Sequence, residues 1–125
     1  MFKETITYTD YNGTERTEDF YFNLTKAELT TMEFSTAGGF SEMVKRAAAT
    51  VDMPTLIKIF EDMIRKAYGV KSPDGRQFQK SKEILDAFVQ CPAYEELYMK
   101  LATDADYAAK FVNKLIPNVP ANAAN

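Results

Sequence analysis

Thr103-Asp104-Ala105-Asp106 places two carboxylates close together, the kind of pair that can share acid and base work. The pair falls where a helix is expected to begin, and acidic groups are favoured there by the helix dipole, so capping outweighs catalysis. Cys91 is the single cysteine and histidine is absent. A nucleophilic thiol therefore lacks the usual base that would ionise it, and an inert, partly buried thiol is the expectation. Metal binding fares no better, since one cysteine, no histidine and no D-x-[DN]-x-[DN]-G loop leave no ligand cluster. Gly38-Gly39 has neither phosphate-loop spacing around it and reads as a hinge. Glu95-Glu96 and Glu61-Asp62 fall on polar helix sides. Lys45-Arg46, Lys58, Arg65-Lys66 and Lys80 with Lys82 alternate with Glu42, Glu61, Asp62 and Glu83, which makes a mixed-charge surface rather than a basic strip. No catalytic, cofactor or metal residue emerges, and the chain is expected not to be an enzyme.

What remains is grease. Nine Phe, seven Tyr and six Met occur without Trp, in a chain that is 46% hydrophobic and 26% charged. Such a composition folds around a core and is too apolar for general disorder. A net charge of -3 gives no basic field for a phosphate backbone, so nucleic acid is not an expected partner. No apolar run is long enough for a bilayer, and the opening MFKETITYTD lacks the pattern of a secretion signal, so neither membrane nor export is expected.

The elements that hold these residues follow from spacing. Residues 1–22 read as a β-hairpin of FKETITYTD and TERTEDFYF around Tyr11-Asn12-Gly13. A two-residue loop would scatter the apolar groups over both faces. A three-residue loop with Gly13 left-handed puts Phe2, Ile6, Tyr8, Phe20 and Phe22 on one face, and is preferred. Helices occupy 24–68. Thr25 and Glu28 form a capping box with Leu24 stapled on Leu29; a second helix carries Phe40, Met43, Val44, Ala47 and Val51. The third starts at Asp52 and Pro54, carries Leu56, Ile57, Phe60, Met63, Ile64, Ala67 and Tyr68, and is expected to end at Gly69 as a left-handed cap. A small hairpin over 70–78, turning at Pro73-Asp74-Gly75, is expected to bring Val70 opposite Phe78. Three short helices fill 81–116: Ser81 caps Ile84, Leu85, Phe88 and Val89; Pro92 opens Tyr94, Leu97, Tyr98 and Leu101; Asp104 caps Ala108, Phe111, Val112 and Leu115. The fold class is α+β, predominantly α-helical, with one domain over 1–117 and a flexible tail at 118–125.

ITYTDYNGTERTEDFYFNLTKAEL, KAYGVKSPDGRQF and AYEELYMKLATDADYAAKFVNKLIP, taken in that order, resemble the tail assembly chaperones of long-tailed, siphovirus-like bacteriophages and prophages, from about Thr5 to Pro117. The resemblance implies a non-catalytic protein in the cytoplasm of the bacterial host that binds the tape measure protein and keeps it soluble while tail tube subunits assemble. It also implies departure before the virion is complete, and often a longer, frameshifted form of the same protein. The tail tube protein, that longer form and self-association are further partner candidates. No motif of the family marks its contacts. Physical reasoning picks Tyr94, Tyr98, Leu101, Phe111, Val112 and Leu115 as the partner-facing residues, since one apolar stripe of six short helices is expected to meet another protein.

Two other readings compete. A structural virion component, such as a neck or tail-completion subunit, would persist in finished particles. A DNA-binding domain built on 81–115 is opposed by the acidic balance.

Overall fold

A computed structural model of the chain describes residues 1–116, so the expected flexible tail at 118–125 lies outside the described residues. Strand β1 is Phe2–Thr9 and β2 is Glu15–Phe22, paired antiparallel with Phe2 opposite Phe22 and Thr9 opposite Glu15. This is the expected register. Gly13 is left-handed at φ 83°, its N–H donates to the Asp10 carbonyl, and the Asp10 N–H donates to Thr14. The Asp10 carboxylate organises the loop by accepting from the N–H groups of Asn12 and Thr14. The Arg16 guanidinium, bonded to it at 2.6 Å, holds this carboxyl below its usual range.

Helices α1 (Lys26–Ser35), α2 (Phe40–Thr50) and α3 (Met53–Ala67) follow. The Thr25–Glu28 capping box is present in both directions. Gly39 offers α2 no side chain, and Glu33 of α1 takes over that task, accepting from the backbone N–H and hydroxyl of the buried Ser41. Between α2 and α3, Val51 is left-handed at φ 51° and 68% exposed. Its N–H donates to Ala48 and that of Asp52 to Ala47, the bonding of a Schellman cap that ordinarily holds glycine. Asp52 then caps α3 through Thr55.

A β-branched residue in the left-handed region is strained by about 1–2 kcal/mol, and glycine returns part of that through its freer unfolded state. Val51→Gly is therefore expected to raise stability by about 0.5–1 kcal/mol. The check is a higher urea midpoint with an unchanged m-value.

Strand β3 (Tyr68–Lys71) leaves α3 without a break, because Tyr68 is already extended, and pairs beside β2 with Gly69 opposite Tyr21. Gly69 is thus a strand residue rather than the expected left-handed cap. Its lack of a side chain matters for space: a Cβ there would come within 2.5 Å of the Phe78 ring and 2.8 Å of the Gln79 carbonyl oxygen. The second hairpin, completed by β4 (Phe78–Gln79), is shifted by one residue from expectation. Lys71 faces Phe78 and Val70 faces Gln79, because the turn closes at Ser72, whose N–H donates to the Gln77 carbonyl. The Ser72 hydroxyl fills that turn by accepting from the Gln77 N–H and donating to Asp74. The result is one sheet in the order β1-β2-β3-β4.

Helices α4 (Lys82–Val89), α5 (Pro92–Thr103) and α6 (Ala105–Leu115) complete the α+β, mostly helical fold. Ser81 and Asp104 cap α4 and α6 as expected. The core is organised around Phe22, which is fully buried and meets Phe2, Tyr68, Phe88 and Phe111 at ring distances of 5.6, 5.8, 5.9 and 5.5 Å. Hairpin, β3, α4 and α6 therefore share one aromatic cluster.

Candidate functional site

Helix α5 owes its position to both ends. Pro92 fixes its first turn, where a missing N–H costs nothing, and Leu97 and Leu101 anchor its inner face in the core. Tyr94 and Tyr98, one turn apart, emerge on an adjoining face with ring centres 6.0 Å apart. Tyr94 also meets the edge of Phe88 at 5.6 Å. With them an open groove of about 710 Å³ is lined by Glu61 and Arg65 of α3, Glu95 and Met99 of α5 and Tyr11 of the hairpin loop. Met99 is 51% exposed and Tyr11 86%, so the groove has an apolar rim as well as an aromatic floor.

One polar atom stands out. The Tyr94 hydroxyl is buried and has no hydrogen-bond partner, alone in this among the side-chain atoms of the described residues. Burial pushes the phenol's pKa up, against the opposing pull of the Arg65 guanidinium. An unsatisfied buried hydroxyl costs about 1–3 kcal/mol. The groove offers aromatic faces, a flexible thioether and charges from both helices, Glu61 and Arg65 of α3 and Glu95 of α5.

The six residues picked from sequence separate here. Tyr94 and Tyr98 line the groove together. Leu101, Phe111 and Leu115 are 3%, 1% and 3% exposed and belong to the core. The reason is that α6 closes over the hairpin: Phe111 packs edge-on against Phe2 at 5.3 Å, and Tyr107 and Lys114 bond Glu4 of β1. Val112 is half-buried against the same core, away from the groove lining. Sequence reasoning passed over Met99, Tyr11, Glu61 and Arg65. Tyr11, a large apolar residue at a hairpin tip, was the readable signal among them.

The features weighed as chemistry have structural places. Asp104 accepts from the Tyr107 N–H as the α6 cap, and Cys91 is a half-buried free thiol at the start of α5. Among the described residues no helix is long and apolar enough to cross a membrane. A family model described as "Phage tail assembly chaperone" matches residues 1–125. No curated protein and no solved structure gives a match.

Proposed function

Because the chain belongs to the phage tail assembly chaperone family, we propose that it binds the tape measure protein and keeps it soluble during tail morphogenesis, using the groove between α3 and α5. The observation that carries this reading is the groove itself, lined by Tyr94 and Tyr98 with the exposed Met99 beside them. A helical client segment lays apolar side chains at three- and four-residue spacing onto the tyrosine rings. Met99 adapts to whichever side chain arrives, which suits a client whose successive segments differ. Each contact is weak, and many copies along one long client act together. The net charge of -3 keeps such an array from collapsing on itself.

On this reading the protein works in the host cytoplasm, in concert with a frameshifted longer form of itself, and hands its client over as tail tube subunits arrive. Neither catalysis nor a cofactor enters. Co-expression with the tape measure protein tests it: the client is expected in the soluble fraction with the native chain, and in the pellet without it. A client equally insoluble in both cases defeats the proposal. Mass spectrometry of finished particles separates the alternative, because a neck or tail-completion subunit would remain in them and a chaperone would not.

A further inference from the structure

The geometry points to a second docking site on the adjoining flank of α5: the open edge of β1 receives an extended, lysine- or arginine-bearing segment of a partner protein as a fifth strand of the sheet. β1 stands last in the strand order and has eight residues. The loop-closing pair Asp10 and Thr14 sets the alternation, so Glu4, Ile6 and Tyr8 exchange their backbone bonds with β2. Thr5, Thr7 and Thr9 consequently aim their N–H and carbonyl groups off the edge, where no backbone partner meets them among the described residues. Free edges of this length are normally blunted by proline, a bulge or inward charge. Here Lys3 points outward at one end and Glu4 points inward beside it, held by Tyr107 and Lys114, while Thr5 to Thr9 carry no charge, proline or bulge.

Two openings of about 340 and 370 Å³ lie along this edge, between Thr5–Thr9 and the outer side of α5 and α6. They give an added strand a floor, with Met99 as its exposed apolar element. Charge selects the occupant. Glu15, Glu95 and Glu96 surround the Thr9 end, and none of them forms an ion pair among the described residues. The cation lining the other opening, Lys100, is engaged over the Tyr107 ring at 4.2 Å. A strand with basic residues beside Thr7 and Thr9 answers both the unpaired backbone and the unpaired acids. A second copy of this chain, itself carrying a net charge of -3, answers the backbone alone.

This site goes beyond the groove of Tyr94 and Tyr98 and does not depend on which client that groove holds. The test is a fluorescent peptide of about eight residues, alternating lysine with valine, titrated into the full chain while amide shifts are followed. Binding that shifts Thr5, Thr7 and Thr9 is expected, and it should weaken with salt. Methylating alternate peptide nitrogens, or exchanging lysine for glutamate, should abolish it. Glu95→Lys with Glu96→Lys should weaken it about tenfold. Thr7→Pro, which removes an outward N–H and no β1–β2 backbone bond, at the cost of the Thr7–Thr17 hydroxyl contact, should do at least as much. Equal binding of the methylated peptide, shifts confined to Tyr94 and Tyr98, or edge amides already protected in a peptide-free oligomer would each overturn the assignment.

Discussion

Replacing Phe22 by alanine is expected to cost about 3–5 kcal/mol, close to the whole stability of many small domains. The ring is completely buried and touches Phe2 of β1, Tyr68 of β3, Phe88 of α4 and Phe111 of α6. No neighbouring element can move into the space without losing its own contact, because Tyr68 and Phe88 are already stacked at 4.1 Å. The cavity therefore stays open, and its cost adds to the lost transfer energy. Urea denaturation followed by circular dichroism measures it. A loss below about 1 kcal/mol would mean that the aromatic cluster is not the centre of the core.

Lys80→Met is expected to be the next most damaging change, at about 2 kcal/mol. The Lys80 ammonium donates to the carbonyls of Asn23 and Lys66 at 2.8 and 2.7 Å and to both oxygens of Glu28 at 3.0 and 2.9 Å. One side chain thus ties the residue after β4 to the end of the hairpin, the last turn of α3 and the α1 capping box. Methionine keeps the stem's packing but leaves these acceptors without their donor. The carboxylate contributes less than the distances suggest, since the Glu28 side chain is 38% exposed and solvent screens the pair.

The Glu28 carboxyl supplies a pH signature. Burial alone would raise its pKa, but bonds from Lys80 and from the Thr25 N–H outweigh that and hold it below 4.5. The unfolded chain binds this proton more readily than the fold, so the contribution is present above pH 4.5 and is lost as pH falls through the folded value. The stability gap between the native chain and Lys80→Met should therefore narrow on acidification, while the carbonyl bonds keep it from closing. A gap that widens below pH 4.5 would contradict this assignment of the ion pair.

Local chemistry was legible in the sequence, and long-range neighbours were not. The first hairpin's register follows from alternation plus Gly13, because only one loop length puts Phe2, Ile6, Tyr8, Phe20 and Phe22 on one face. The caps at Thr25, Asp52, Ser81 and Asp104 are set within three residues of themselves. Gly69 misled because a glycine after an amphipathic helix usually ends it left-handed, whereas here Phe78 and Gln79 crowd the position after β3 joins β2. Two residues of β4 are too few for alternation to set a register, and the hydroxyl of Ser72 decided it. The reach of Lys80 across three elements left no trace in local pattern.

The candidate site divides along the same line. A spacing of four places Tyr94 and Tyr98 on one face of α5 from sequence alone. The same periodicity flagged Leu101, Phe111 and Leu115, yet it cannot say which stripe a neighbour covers, and α6 turned out to lie over the hairpin with Phe111 inward. Met99 escaped notice because it falls outside the stripe, and that is the reason it is exposed.

The client groove is tested most directly by recording amide shifts of the labelled chain as a soluble fragment of the tape measure protein is added. Saturable shifts clustered at Glu61, Arg65 and Cys91 through Met99, lost when Tyr98 is replaced by aspartate in a chain that remains folded, are the expected result. Absence of shifts at saturating fragment, or shifts that bypass α3 and α5, would contradict the assignment of this groove to the client.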